Sequence, residues 1–226
     1  ILAPIPHLIR DMVCVGKNYY AHAKEFFDSG FDATQKETIP SEPIIFTKAM
    51  TSLIGPNDAI DASIDPTDSV DYEGELGVII SKTARRVAKA DWQDYVFGYV
   101  IINDVTSREL QKKHNQWTIG KGLDTFGPMG PYIVTKDEID DLPSMQIQTL
   151  VNDEVRQQAE IRDLIFDIPT LIETLTLTGT LLAGDVIATG TPVGVGIGFT
   201  PPKFLKSGDV VTINVTGLGS LTNPVI

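Results

Sequence analysis

The stretch Val70-Asp71-Tyr72-Glu73-Gly74-Glu75-Leu76-Gly77-Val78-Ile79-Ile80 passes directly from acidic residues into an apolar run of strand composition. Side chains of a strand alternate between faces, so the spacing predicts Asp71, Glu73 and Glu75 on one side. Ile79 falls on that same side, which makes it an interior face. Carboxylates directed inward are costly unless positive charge meets them, and a bound cation is the simplest source. The competing reading is an exposed edge strand whose acids discourage pairing with other chains.

A second segment favours the cation. Val96-Phe97-Gly98-Tyr99-Val100-Ile101-Ile102 reads as a strand that runs into Asn103-Asp104, placing another carboxylate at a strand end. Glu73, Glu75 and Asp104 would supply hard oxygens from two strands and leave positions open in an octahedral shell. That donor set suits Mg²⁺ or Mn²⁺, with Ca²⁺ as a further candidate. Cys/His clusters with zinc spacing are absent.

The rest of the chain is punctuated by turns. Residues 8–16 and 43–48 read as strands, and Asn18 is placed to cap a short helix carrying His22 and Glu25. Residues 28–42 are polar and without period. Together, residues 17–42 are expected to form a mobile lid of helix and loop. Residues 106–114 have helical composition, and the glycines and prolines of 118–131 predict an ordered loop. Residues 147–155 read as a hairpin around Asn152-Asp153. Asp167 caps a helix with an apolar stripe of Ile168, Leu171, Ile172 and Leu175. Gly-rich turns at 190–196 and 207–209 flank late strands. Strands dominate without a regular βαβ alternation, so a β-rich (α+β) single domain over 1–226 is expected.

A net charge of −12 argues against nucleic acid or an anionic membrane as partner, and no apolar run approaches a bilayer span. The single cysteine, Cys14, lies in an apolar run and reads as a buried inert thiol. No intrachain disulfide can form, which fits a reducing, cytoplasmic setting. The chain begins at Ile1 rather than Met.

Three apart on a helix, His22 and Glu25 share a face and can form a general-base pair, the carboxylate orienting the imidazole. Arg108, three residues before Gln111, can grip a carboxylate, and Lys121 amid glycines can approach a developing oxyanion. Thr191 lies in a turn whose amides and hydroxyl suit an anion. For each of these the plain alternative is surface solvation or a satisfied polar contact.

Taken together these segments resemble the fumarylacetoacetate hydrolase family. They are Val15-Gly16-Lys17-Asn18-Tyr19 with His22 and Glu25, Asp71-Tyr72-Glu73-Gly74-Glu75-Leu76, and Asn103-Asp104-Val105-Thr106-Ser107-Arg108-Glu109-Leu110-Gln111. Lys121-Gly122-Leu123-Asp124-Thr125-Phe126-Gly127-Pro128, Gly184-Asp185-Val186-Ile187-Ala188-Thr189-Gly190-Thr191-Pro192 and Gly217-Leu218-Gly219-Ser220-Leu221-Thr222-Asn223-Pro224 complete the set. The resemblance implies a mixed β-sandwich roll of that family's C-terminal-domain type with few short helices, and a homodimer. It implies a divalent ion on Glu73, Glu75 and Asp104 and a water-activating dyad of His22 and Glu25 on the lid. Arg108, Gln111, Lys121 and Thr191 would surround a small anionic 2-oxo acid. The His-x-x-Glu spacing is similar to the acylpyruvase and oxaloacetate decarboxylase branch. Many members carry N-terminal residues that this sequence lacks.

The reaction expected from these parts is hydrolysis of a C–C bond in an acylpyruvate. His22 deprotonates water, and cleavage releases a pyruvate enolate stabilised by the ion and Lys121. Decarboxylation of oxaloacetate and isomerisation of 2-hydroxyhepta-2,4-diene-1,7-dioate use the same site. A non-enzymatic β module with structural Ca²⁺ is the alternative from another class.

Overall fold

A computed structural model describes residues 2–32 and 38–226. Its strands are β1 (Met12–Gly16), β2 (Ile44–Lys48), β3 (Leu53–Ile54), β4 (Val70–Asp71), β5 (Gly74–Ile80) and β6 (Val96–Asn103). They continue with β7 (Thr106–Ser107), β8 (Gly127–Thr135), β9 (Gln146–Val151), β10 (Glu154–Glu160), β11 (Val186–Ala188), β12 (Val210–Val215) and β13 (Gly219–Pro224). The α-helices are few and short: α1 (Tyr20–Asp28), α2 (Arg108–His114), α3 (Thr118–Lys121) and α4 (Ile168–Thr178). The β-rich α+β expectation holds.

A seven-stranded mixed sheet runs β2-β1-β11-β5-β6-β8-β3, and a four-stranded antiparallel sheet runs β10-β9-β12-β13. Burial alternates along β9 and β12, as a sheet covered on one face requires. Their inner residues Ile147, Val151, Val211 and Ile213 join Leu76 and Val78 of β5 and Ile101 of β6 in one core. The opposite face of β5 and β6 packs Ile79, Val100 and Ile102 against Cys14, Met129 and Ala188. Covered on both sides, β5 is buried along its whole length. Truncating Leu76 to alanine would cost about 2–5 kcal/mol, the range for a fully buried leucine.

Several local expectations change. The acidic stretch is not one strand: it breaks at Tyr72 and Glu73, β4 pairing with β7 and β5 with β6 and β11. Asp71 leaves the acid face to meet Arg108, while Glu75 and Ile79 keep their common side. Asn18 caps no helix; Tyr19 is the N-cap residue, and the Asn18 side chain binds Phe166 and Thr189 of distant loops. Residues 118–131 are not a loop throughout, for they contain α3 and the start of β8. Beyond Gly217-Leu218-Gly219 the chain continues as β13, paired along β12. The helix of the expected lid is present as α1, whereas residues 33–37 of its loop lie outside the described residues. Among the described residues no helix is long and apolar enough to cross a membrane.

Candidate active site

Strand register assembles the acids. Gly74 pairs with Asn103 across β5 and β6, so Glu73 and Asp104 sit side by side just beyond the ladder. The Glu73 amide donates to Asn103 Oδ1 at 3.0 Å, and the Asp104 amide donates to the Glu73 carbonyl at 2.8 Å. Glu75 stands one residue into β5. One carboxylate oxygen from each of Glu73, Glu75 and Asp104 lies within 4.8 Å of the others, and all three residues are buried.

Cations surround this cluster. Lys121, at the C-terminus of α3, donates to Glu73 Oε2 and Asp104 Oδ2, each at 2.7 Å. Arg108, opening α2, reaches Glu73 Oε1 at 2.7 Å and donates through Nε to Asp71 Oδ2 at 2.8 Å. Lys48, at the end of β2, donates to the carbonyls of Val105 and Lys121 and stands 2.9 Å from Asp104 Oδ1. Burial alone would push the Glu73 carboxyl up, but Lys121 and Arg108 overcome it and hold Glu73 at about 2. Glu75 receives one amide, from Gly190 at 2.8 Å. Burial, then the charges of Asp104 and Glu73, push its carboxyl well above the ordinary value.

Two observations suit a divalent ion. Asp104 Oδ1 is buried without a hydrogen bond, because Lys48 approaches it out of line. Four buried carboxyl groups (Asp71, Glu73, Glu75, Asp104) face three buried cations (Lys48, Arg108, Lys121), and the one in excess, Glu75, is left to a proton or a metal ion for neutralisation. The all-carboxylate donors favour Mg²⁺ or Mn²⁺ over softer metals.

Facing the acids across a narrow cavity of about 20 Å³ is α1. His22 and Phe26 of α1, with Lys17, Phe46, Arg108, Gln111, Trp117, Lys121 and Thr191, line it together with Glu73 and Glu75. His22 Nδ1 lies 3.1 Å from Glu25 Oε2, and the Gly194 amide donates to Glu25 Oε1 at 3.0 Å. Arg108 Nη2 is buried and unpartnered, a donor still available to an incoming carboxylate. The Gln111 side-chain oxygen accepts from Arg108 at 3.3 Å. Thr191 Oγ1 donates to the Gly74 carbonyl and accepts from Gln157, so its hydroxyl props the loop while the residue lines the cavity. Of the residues read from sequence as candidates, His22, Glu73, Glu75, Arg108, Gln111, Lys121 and Thr191 line this cavity, while Glu25 and Asp104 stand behind its wall, hydrogen-bonded to His22 and Lys121 respectively.

Sequence reasoning missed the roles of Lys17, Lys48, Tyr72 and Gln157, and it grouped Asp71 with the acids rather than with Arg108. Lys48 offered a signal, since it shares strand parity with the apolar Ile44 and Phe46. Lys17 offered another only in the structure, where it takes φ 53° and pairs with Asp32. A cavity of about 570 Å³ lined by Trp92, Tyr99, Leu142 and Ile161 is larger but holds none of these groups.

The chain is 48% identical over 223 residues to the oxaloacetate tautomerase YisK of Bacillus subtilis, covering 99% of this chain and 72% of that protein. Uncharacterised Staphylococcus aureus proteins are 43% identical over 212 residues, 94% of this chain and 67% of theirs. A fumarylacetoacetate hydrolase from Exiguobacterium antarcticum superposes with a TM-score of 0.87 at 44% identity, covering 99% of this chain and 77% of that one. A maleylpyruvate hydrolase from Sphingobium, solved with manganese and pyruvate, superposes with a TM-score of 0.79 at 34% identity, covering 100% and 73%. The C-terminal-domain pattern of fumarylacetoacetate (FAA) hydrolase matches residues 11–226, and the chain belongs to that family.

Proposed function

We propose that this chain is a divalent-cation-dependent enzyme of small 2-oxo acids that works through an enolate, with keto–enol interconversion of oxaloacetate as its reaction. The observation that carries the reading is one cavity lined by His22, which pairs with Glu25, and by the buried acids Glu73 and Glu75, whose carboxylate cluster Asp104 completes. The relation to YisK points to oxaloacetate. When bound by the three acids, Mg²⁺ or Mn²⁺ would polarise the 2-oxo group as a Lewis acid.

The chain's own residues supply the remaining steps. Arg108 Nη2 takes the substrate carboxylate, and the Lys121 ammonium neutralises charge growing on the oxygen. His22 removes a proton from the carbon beside the carbonyl and returns one to oxygen, while Glu25 stabilises the imidazolium between the two transfers. A space of about 20 Å³ holds little more than one water. The segment around α1 therefore acts as a lid that opens to admit substrate and closes to exclude solvent. A second reading, hydrolysis of an acylpyruvate, is favoured by the manganese- and pyruvate-bound maleylpyruvate hydrolase relative. There His22 would deprotonate water instead of carbon.

Enol-form oxaloacetate, keto-form oxaloacetate and acetylpyruvate, each assayed with Mn²⁺ and with chelator, separate these readings. Enol absorbance decaying faster without pyruvate release supports interconversion, and pyruvate from acetylpyruvate supports hydrolysis. Glu73→Ala should abolish Mn²⁺ binding and turnover together. Full activity in chelator would overturn the metal-dependent reading.

A further inference from the structure

Backbone amides of the loop 190–198 hold three carboxylates in or beside the site. The Gly190 amide holds Glu75, the Gly194 amide holds Glu25, and the Gly196 and Ile197 amides hold Asp71 at 2.6 and 3.1 Å. Asp71 in turn holds Arg108, which holds Glu73. What aims the Gly194 amide is visible one residue beyond Asp71. The Tyr72 hydroxyl donates to the Gly194 carbonyl at 2.8 Å, and Arg156 Nη1 lies 3.5 Å behind it with its guanidinium 5.9 Å from the ring. Gly194 takes φ +107°, and an added Cβ would fall within contact distance of the Arg156 carbonyl oxygen. Gly194 is therefore gripped on both sides of its Cα: the carbonyl of the peptide that follows by the phenol, the amide of the peptide that precedes by the Glu25 carboxylate. Tyr72 is fully buried.

We propose that Tyr72 is a positioning residue for the His22 and Glu25 pair, acting through the Gly194 peptide to which it donates. This rests on the proposed role of that pair. The Tyr72 hydroxyl meets Gly194 and Arg156, and the residue does not line the cavity. It fixes the receiving end at which Glu25 docks when α1 lies closed, and so sets the direction from which Glu25 presents itself to His22.

The test is a double-mutant cycle of Tyr72→Phe with Glu25→Ala, using oxaloacetate and Mn²⁺. Removing the phenolic oxygen alone should lower kcat about five- to tenfold, the worth of one hydrogen bond, with KM and Mn²⁺ affinity unchanged. In the Glu25→Ala background the same change should have no further effect on kcat, because nothing is left for the Gly194 amide to orient. Hydrogen exchange over Tyr20–Asp28 in metal-free protein should accelerate in Tyr72→Phe. An equal loss of kcat in both backgrounds would show a generic structural role and overturn the proposal. So would unchanged kcat. If Tyr72→Phe does not fold, Gly194→Ala, which must displace the same peptide, is read in the same cycle. If Glu25→Ala itself leaves kcat intact, the assignment of the base pair fails first, and the two failures are distinguishable.

Discussion

Replacing Lys121 with methionine separates the roles of charge and of shape in the acid cluster. The ammonium bridges Glu73 and Asp104 through two hydrogen bonds of 2.7 Å, with the lysine fully buried. Lys121→Met keeps most of the volume and leaves four buried carboxylates facing Arg108 and Lys48 alone. Removing one partner of a buried ion pair costs about 3–5 kcal/mol. At about 2–4 °C per kcal/mol for a chain of this size, the thermal midpoint in chelator should fall by about 6–20 °C. Mn²⁺ should act in the opposite sense. Wild-type protein gives up charge-assisted bonds worth about 1.5–3 kcal/mol each when a cation takes those carboxylates, and the variant does not. Its affinity for Mn²⁺ should rise about 10- to 100-fold, and each tenfold adds about 3–6 °C to the metal-induced shift. Differential scanning fluorimetry in chelator and across a Mn²⁺ titration reads both effects, and turnover should be lost. A variant as stable as wild type in chelator, or one stabilised less by Mn²⁺, would refute the view that the ammonium holds the cation's place.

His22→Ala should lower turnover by about 10²- to 10⁴-fold while isothermal titration finds Mn²⁺ affinity nearly intact; equal loss of both would make His22 part of the metal site. Gly198→Ala puts a Cβ on top of the Glu25 carboxylate, which must leave its place beside His22 and the Gly194 amide. Displacement of about 1 Å should cost on the order of 100-fold in kcat/KM without changing Mn²⁺ affinity, and an unimpaired variant would contradict the closed geometry. Stability should also depend on pH in two directions. Glu73 sits at about 2 against an ordinary 4.5, so its contribution is present above about pH 4.5 and is lost as pH falls toward 2. Glu75 is raised, so its contribution is present below about pH 4.5 and is lost as pH rises through its folded value. Thermal midpoints in chelator should decline on both sides, and saturating Mn²⁺ should remove the decline at higher pH. A chelator profile with no alkaline-side fall would count against a buried, unneutralised Glu75.

Much of this site was legible because its residues carry meaning in short segments. Glu73 and Glu75 announce themselves by parity against Ile79, Asp104 by ending an apolar strand, and His22 with Glu25 by helical spacing. The supporting residues do not. Lys48 matters because it reaches Val105 and the end of α3, and Tyr72 because it meets Gly194, 122 residues away. Asp71 shared the parity of the metal-site acids, yet the break at Tyr72 and Glu73 turned it toward Arg108 instead. The last strand escaped notice since Gly-Ser-Leu-Thr-Asn-Pro has turn composition, and only pairing along β12 makes it extended. Asn18 was misjudged for the same reason: its local preference for capping yields to three hydrogen bonds with loops more than 140 residues distant.

The two faces of the cavity rest on different foundations. Glu75 belongs to a strand clamped between two apolar layers, and Glu73 and Asp104 adjoin it across the β5 and β6 ladder, whereas His22 rides on a nine-residue helix held mainly at its inner side. Such a division of labour anchors the charge-bearing acids in the sheet and entrusts the facing imidazole to a single short helix. A change in the seating of that helix therefore alters His22 without disturbing the strands beneath.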